Sequence, residues 1–159
     1  MTEAELHAWQ GGAGFTPGAG LDAALADSHT PLMRAARAGR DDVVAALLAR
    51  GADPNRVNGD GNQALWLACF ADSEACAREL IAGGAELDHQ NDSGATCLVY
   101  AASAGKTAMV RLLLEAGAKP CLVTQDGFSA LDLAANRECL WLLRAAVEKW
   151  RCATAAERR

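Results

Sequence analysis

The sequence predicts an all-α solenoid, in which short β-hairpin or turn loops connect successive helix-turn-helix pairs. Related segments begin at Asp27, Asp60, Ser93 and Asp126, so that successive units start 33 residues apart. Glycine-alanine turns keep the same interval, at positions 51, 84 and 117. A period of this length is typical of stacked helical repeats, each of which buries its apolar face against its neighbours.

The composition supports one compact domain. The chain has 159 residues, of which 51% are hydrophobic, and its formal net charge is −5 at pH 7. That apolar content suffices for a continuous core, and the mild acidity disfavours nucleic-acid binding. No apolar run approaches the ~18 residues that a membrane span requires, and the N-terminus does not resemble a signal peptide. We therefore expect a cytoplasmic protein, monomeric alone, that binds neither nucleic acid nor membrane.

Residues 1–26 are predicted to form a degenerate N-terminal capping half-repeat. Thr2 to Gln10 fit a short helix with acidic residues in its first turn. The segment from Gly18 to Asp22 then takes the place of the glycine turn found in later repeats. A terminal unit departs from the pattern because one of its faces meets water instead of a neighbouring repeat.

Repeat 1 spans residues 27–59 and contains the clearest helix signals. Thr30 is a suitable N-cap, and Pro31 suits the first helical position, where its missing N–H costs nothing. Gly39 ends this inner helix, and Asp41 begins the outer helix favourably at its N-terminal dipole. The buried stripe of the outer helix is predicted to be Val43, Val44, Leu47 and Leu48.

Repeats 2 and 3, residues 60–92 and 93–125, keep this apolar frame. Repeat 2 has Asp72 where the turn glycine stands in repeat 1, and Asp tolerates left-handed backbone geometry better than most residues. Repeat 3 restores the glycine at Gly105. We therefore expect the same turn between the two helices of each repeat.

Repeat 4, residues 126–150, is predicted to be shortened by three residues in the turn between its helices. Its last helix then continues to Trp150 as a C-terminal cap, and residues 151–159 form a polar, frayed tail. Trp141 is either an exposed anchor or a lid over the last repeat. We expect the lid, because the open end of a solenoid needs covering.

The six cysteines include no Cys-x-x-Cys pair and no histidine at zinc-finger spacing, so no metal site is expected. We expect most of the cysteines to be small buried thiols in a protein of a reducing compartment. Cys69 and Cys76 flank one turn between helices, and a redox pair there remains an alternative.

The sequence contains no recognisable catalytic motif. Its histidines, His7, His29 and His89, have no Ser, Cys or carboxylate beside them at a spacing that builds a triad. The glycines fall at helix ends and turns, without a phosphate-binding loop. We expect a protein without enzymatic activity and without a cofactor; an enzyme would require a convergent polar pocket.

The segments Thr30-Pro31-Leu32-x-x-Ala35 and Gly51-Ala52-Asp53-x-Asn55, repeated with a 33-residue period, resemble the ankyrin repeat family over about residues 27–147. The resemblance implies an L-shaped solenoid of antiparallel helix pairs whose hairpin tips and inner-helix surface bind other proteins. The histidine that usually follows the leucine in this family is replaced, so apolar stacking alone is expected to hold the repeats together. The replacing residues are Met33, Trp66, Val99 and Asp132.

Candidate partner-binding residues are those that the repeat framework does not need. In this architecture they stand before each inner-helix cap or near the inner helix, along one concave side. Aromatic residues and arginine dominate binding hot spots. The predicted contacts are His29, Arg34, Arg37, Asn62, Phe70, Ala95, Tyr100, Ser103, Phe128 and Asn136.

Phe70, Tyr100 and Phe128 come from three successive repeats and are predicted to form one aromatic patch. The alternative that Phe70 and Tyr100 pack between inner helices stays open. The function that follows is a scaffold or adaptor that binds a protein partner through the concave face. The alternatives are a regulatory subunit or inhibitor of an enzyme that uses the same face, and a thiol redox-responsive module.

Overall fold

A computed structural model describes residues 1–16 and 20–157, and all regular secondary structure within these ranges is helical. It contains eight α-helices, and a single bridge between Val123 and Ser129 is the only β-pairing in the described part of the chain. The predicted all-α repeat fold is thereby confirmed, with turns in place of β-hairpins. Gly18 and Ala19, part of the predicted first glycine turn, lie outside the described residues. The chain divides into two compact units, Met1–Glu86 and Leu87–Arg159.

The first unit begins with a helix whose N-terminus is closed by two reciprocal hydrogen bonds. The Glu5 amide donates to Thr2 Oγ1 at 3.2 Å, and the Thr2 amide donates to a Glu5 carboxylate oxygen at 2.6 Å. This capping box explains why a short helix forms at the predicted place. The helices of the unit are α1 (Glu3–Gly12), α2 (Pro31–Arg37), α3 (Asp41–Ala49), α4 (Ala64–Phe70) and α5 (Glu74–Ala82).

Side-chain caps set the start of the inner helices where threonine is present. Thr30 Oγ1 accepts a hydrogen bond from the Met33 amide at 3.3 Å, which satisfies one unpaired donor of α2. Gln63 precedes α4 without capping it, because its side-chain amide donates to the Asn55 carbonyl at 3.0 Å. Asp72 adopts a φ of 57°, the left-handed conformation expected at this turn.

Leucines, together with Met33, Val43 and Val44, supply the largest buried side chains of the first unit. Helix α2 packs on α3 and α4, and α5 packs on both of the latter. Complete burial of a leucine contributes about 1.5–3 kcal/mol, so these contacts dominate the stability of the unit. The fully buried leucines are Leu32, Leu47, Leu65 and Leu80.

The second unit repeats this packing with fewer helices. Helix α6 packs on α7, and α7 packs on α8. Its largest fully buried side chains are Leu98, Met109, Leu113 and Leu143. The helices are α6 (Cys97–Ser103), α7 (Thr107–Glu115) and α8 (Arg137–Glu157).

Repeat 4 has a single turn where the other repeats have an inner helix. The Leu133 amide donates to the Ser129 carbonyl at 3.2 Å, but this turn does not continue into an inner α-helix, and the next helix is α8. Asn136 Oδ1 accepts from the Cys139 amide at 2.8 Å, and Asn136 Nδ2 donates to the Gly105 carbonyl at 3.0 Å. Asn136 therefore begins the outer helix α8. The prediction that Asn136 lies near an inner helix is wrong, because repeat 4, shortened between its helices, has no inner α-helix among the described residues.

Helix α8 is longer than predicted and reaches Glu157, so the expected frayed tail from residue 151 is helical over this range. Trp141 is 77% exposed, and the predicted lid is wrong. The physical reason is helical spacing: Cys139 and Leu143, four residues apart, are both buried, which leaves Trp141 on another face. Across the described residues, no helix has both the length and the apolar content needed to cross a bilayer.

Polar side chains also join successive repeats, which corrects the expectation that apolar stacking alone holds them. Asp22 Oδ1 accepts from the Asp53 amide at 3.0 Å, and Asp88 Oδ1 accepts from the Lys119 amide at 2.8 Å. Each bond connects residues 31 positions apart. The first lies in the first unit and the second in the second unit. The carboxylates of the glycine turns thus provide a polar link that does not need the missing histidine.

Candidate functional site

The four loops that precede the inner-helix positions share one backbone hydrogen bond. In each, an amide donates to the carbonyl four residues later, at distances between 2.9 and 3.1 Å. This closure holds the candidate contact residue of each loop at an equivalent place. The pairs are Leu25 with His29, Asn58 with Asn62, Asn91 with Ala95, and Thr124 with Phe128.

His29 is an internal residue of the framework. It is only 8% exposed, and its Nδ1 lies 3.1 Å from the Asp27 carbonyl oxygen. Its Nε2 lies 3.4 Å from Asn58 Nδ2, so the ring joins the loops before repeats 1 and 2. The prediction that His29 contacts a partner is wrong, because its polar atoms are directed to neighbouring loops and its surface is covered.

Asp27 fixes the position of Arg34. Arg34 Nη2 donates to Asp27 Oδ2 at 2.5 Å, and the His29 amide donates to Asp27 Oδ1 at 3.1 Å. Desolvation raises the pKa of Asp27, but the His29 amide and the nearby His29 and Arg34 side chains outweigh it, so that the pKa lies below its ordinary value. The ionised carboxylate therefore anchors a guanidinium whose side chain remains 34% exposed.

Arg37 and Phe70 form a cation–π pair at the ends of helices α2 and α4. The guanidinium carbon of Arg37 lies 5.6 Å from the centroid of the Phe70 ring. Phe70 is 51% exposed, and Arg37 is exposed as well. Of the two alternatives for Phe70, packing between inner helices is therefore not observed. The pair is a preformed aromatic and cationic surface in the first unit.

In the second unit, Phe128 is the exposed aromatic among the predicted contacts. It is 49% exposed, and its amide donates to Thr124 Oγ1 at 3.2 Å. Tyr100 is half-buried on α6, and the exposed Ser103 donates its hydroxyl to the Tyr100 carbonyl at 2.9 Å. A common patch of these aromatics with Phe70, which belongs to the first unit, stays a prediction.

Asn62 and Ala95 occupy equivalent half-buried positions. The backbone N–H of Asn62 donates to Asn58 Oδ1 at 3.0 Å, and the backbone N–H of Ala95 donates to Asn91 Oδ1, also at 3.0 Å. As half-buried side chains, they are less exposed than the Phe70 and Phe128 rings. Whether they contact a partner stays a prediction.

Two tryptophans stand outside the predicted contacts, and Trp9 adjoins two of those contacts. Trp9 on α1 lines a cleft with Arg34 and Arg37, and Trp141 projects from α8. Trp9 lies in the first half-repeat, whose degenerate sequence has no period that aligns α1 with α2. Trp141 was misplaced because the fold of repeat 4 depends on how its deletion is accommodated.

The three histidines occupy different surroundings. His7 is exposed and His89 half-buried, in different units, while His29 is held within the framework. Within residues 1–16 and 20–157, no three His, Cys, Asp or Glu side chains form a group that could hold a metal ion.

The cysteines proposed as a redox pair are inaccessible. Cys69 and Cys76 are thiols outside any disulfide, and both have 0% exposure. Burial raises the pKa of the Cys76 thiol, which disfavours the reactive thiolate. These observations weaken the redox-responsive alternative.

Comparison with known protein families agrees with the repeat geometry. A family model described as ankyrin repeats (3 copies) matches residues 14–91 and 65–151. The two matches together include helices α2 to α7 and much of α8. No match to a curated protein is found. The chain belongs to the ankyrin repeat family.

Proposed function

We propose that the chain is a non-enzymatic adaptor that binds a protein partner through the concave face implied by its family. Ankyrin repeats are generally protein–protein interaction modules. The observation that carries the proposal is the exposure of Phe70 and Phe128, at 51% and 49%, on loops and helix ends whose backbone is fixed by hydrogen bonds. Ordered exposed aromatics are the side chains from which binding hot spots are built.

The energetics favour these rings as anchors. A phenylalanine side chain contributes about 1.5–3 kcal/mol when it moves from water to a fully buried site. Arg37 already lies over Phe70, which reduces the side-chain entropy lost when a partner covers the pair. Because two such anchors lie in the two units, we propose that the partner contacts both.

The cysteines form no disulfide among the described residues, and most are buried, which suits a reducing compartment; we accordingly propose that the adaptor acts in the cytoplasm and is monomeric until it binds its partner. An inhibitor of an enzyme would use the same surface. These two roles differ in whether the captured partner loses activity when the chain is added.

The test is affinity capture from cell extract with identification by mass spectrometry, followed by titration of the purified partner. Phe70→Ala combined with Phe128→Ala should weaken binding by at least about 20-fold, since truncation of a hot-spot side chain costs about 2 kcal/mol. Trp141→Ala is the control, because Trp141 is an exposed aromatic on an outer helix. Equal affinity of the wild type and the double variant would disprove the proposed face.

A further inference from the structure

The first unit contains a cleft that the repeat framework does not explain. It lies between the C-terminal end of α1 and helix α2, and it has a volume of about 470 Å³. This volume lies within the range of sites that hold small ligands or a few side chains. The lining residues are Trp9, Gly12, Ala13, Arg34, Arg37 and Ala38.

The charged side chains that line this cleft are arginines, although Asp27 pairs with Arg34 beside it and the chain as a whole is acidic. Of the described residues that line it, two are arginines and none is acidic. Asp27 holds Arg34 from one side, and Arg37 forms no ion pair with a carboxylate in the described part of the chain. Arg37 therefore has its hydrogen-bond donors available for a carboxylate from outside.

The same cleft offers an apolar surface and backbone acceptors. The half-buried ring of Trp9 forms one wall, and the Phe70 ring positions Arg37 at the other. Gly12 and Ala13 come from the end of α1, where the last carbonyls of a helix lack intrahelical partners. Carbonyls of this kind are acceptors for N–H groups from outside the helix.

We infer that this cleft binds an acidic peptide segment of the protein partner, with its carboxylates on Arg37 and Arg34 and an apolar side chain against Trp9. The inference rests on the proposed function and specifies the chemistry of the partner. A peptide fits better than a nucleic acid, because the net charge of −5 repels a polyphosphate, whereas a short segment that carries few carboxylates experiences less of this repulsion.

The experiment uses the full chain and a random dodecapeptide phage library as the probe. Enriched peptides should combine Asp or Glu with an aromatic or large aliphatic residue. A fluorescein-labelled copy of the best peptide should then bind Arg37→Glu at least about tenfold more weakly than the wild type, and the affinity for the wild type should fall with added salt.

Arg56→Glu is the matched control, because Arg56 is an exposed arginine of the same unit that does not line the cleft. This variant changes the net charge equally and should retain binding. Arg37→Gln, which removes the charge without reversing it, gives an intermediate affinity and replaces Arg37→Glu if circular dichroism shows that the latter is unfolded.

Several results would overturn the inference: no enriched peptide, enrichment of neutral or basic peptides, equal losses in Arg37→Glu and Arg56→Glu, or competition by a single-stranded oligonucleotide. If binding of the captured partner is weakened by Phe128→Ala but not by Arg37→Glu, the inference fails while the proposed function stands. Conversely, if acidic peptides depend on Arg37 while capture is insensitive to Phe70→Ala with Phe128→Ala, the proposed face fails separately.

Discussion

The side chain of Asn55 links its own repeat to the backbone of Glu86, since Asn55 Oδ1 accepts from the Glu86 amide at 2.9 Å. Asn55 Nδ2 simultaneously donates to the Gly84 carbonyl at 3.1 Å. One amide group thus satisfies both a donor and an acceptor of the next glycine turn. Asp22 and Asp88 accept from the equivalent amides but, as carboxylates, provide no donor. Among the three residues, Asn55 therefore makes the most hydrogen bonds to the backbone of the next glycine turn.

Replacement of Asn55 should destabilise the first unit measurably. Asn55→Ala removes two hydrogen bonds, and we expect a loss of about 1–3 kcal/mol in the free energy of unfolding, measured by urea denaturation. Asn55→Asp retains the acceptor for the Glu86 amide and loses the donor to Gly84, so it should cost less. Arg56→Ala, at an exposed neighbouring position, is the control. A loss below about 0.5 kcal/mol in Asn55→Ala would show that the link contributes little.

Gly94 and Gly127 stand at equivalent turns and provide a comparison of backbone crowding. Both have positive φ, 74° and 83°. A Cβ at Gly94 would lie 2.8 Å from the Gln125 backbone nitrogen, whereas a Cβ at Gly127 would meet nothing within 4 Å. The turn of repeat 3 is therefore covered by the turn of repeat 4, while the latter is open.

We expect Gly127→Ala to cost about 1–2 kcal/mol, the strain of a left-handed alanine. Gly94→Ala should lower the free energy of unfolding by at least about 1 kcal/mol more, because the backbone at Gln125 must also move to make room for the Cβ. Thermal and urea unfolding of both variants measure this difference. Equal losses would mean that Gln125 does not approach Gly94 in solution as closely as the structure indicates.

Asp132 is expected to titrate at lower pH than an ordinary aspartate. Its carboxylate accepts from the Ser129 hydroxyl at 2.6 Å and from the Ser129 amide at 2.8 Å, and these bonds lower the pKa. Because the folded-state pKa is depressed, the stabilisation is present above the ordinary carboxyl pKa, near about pH 4, and is lost as the pH falls through the folded-state value. Carboxyl-carbon NMR should show a higher Asp132 pKa in Ser129→Ala, and an unchanged pKa would contradict the assigned bonds.

Sequence reasoning succeeded where structure follows from local chemistry. The Thr30 cap, the left-handed Asp72 and the helix pairs of repeats 1 to 3 depend on neighbouring residues and on a period that occurs several times. It failed where the outcome depends on contacts between repeats. His29 has the tip position of Phe128, yet Asn58 of the next loop covers it. Phe128, by contrast, remains 49% exposed.

The cysteines provide the last prediction, which separates the adaptor from the redox alternative. Iodoacetamide should modify Cys152 first in the folded chain, because Cys152 is exposed while Cys69 and Cys76 are buried. Burial also raises the pKa of Cys76, so little thiolate is present near neutral pH. Mass spectrometry of peptides during labelling should show Cys69 and Cys76 reacting only when the chain unfolds, and Cys152→Ser should remove the fast phase. A disulfide between Cys69 and Cys76 after mild oxidation of the native chain would instead favour the redox-responsive module, since such a bond requires the first unit to open readily around two fully buried thiols.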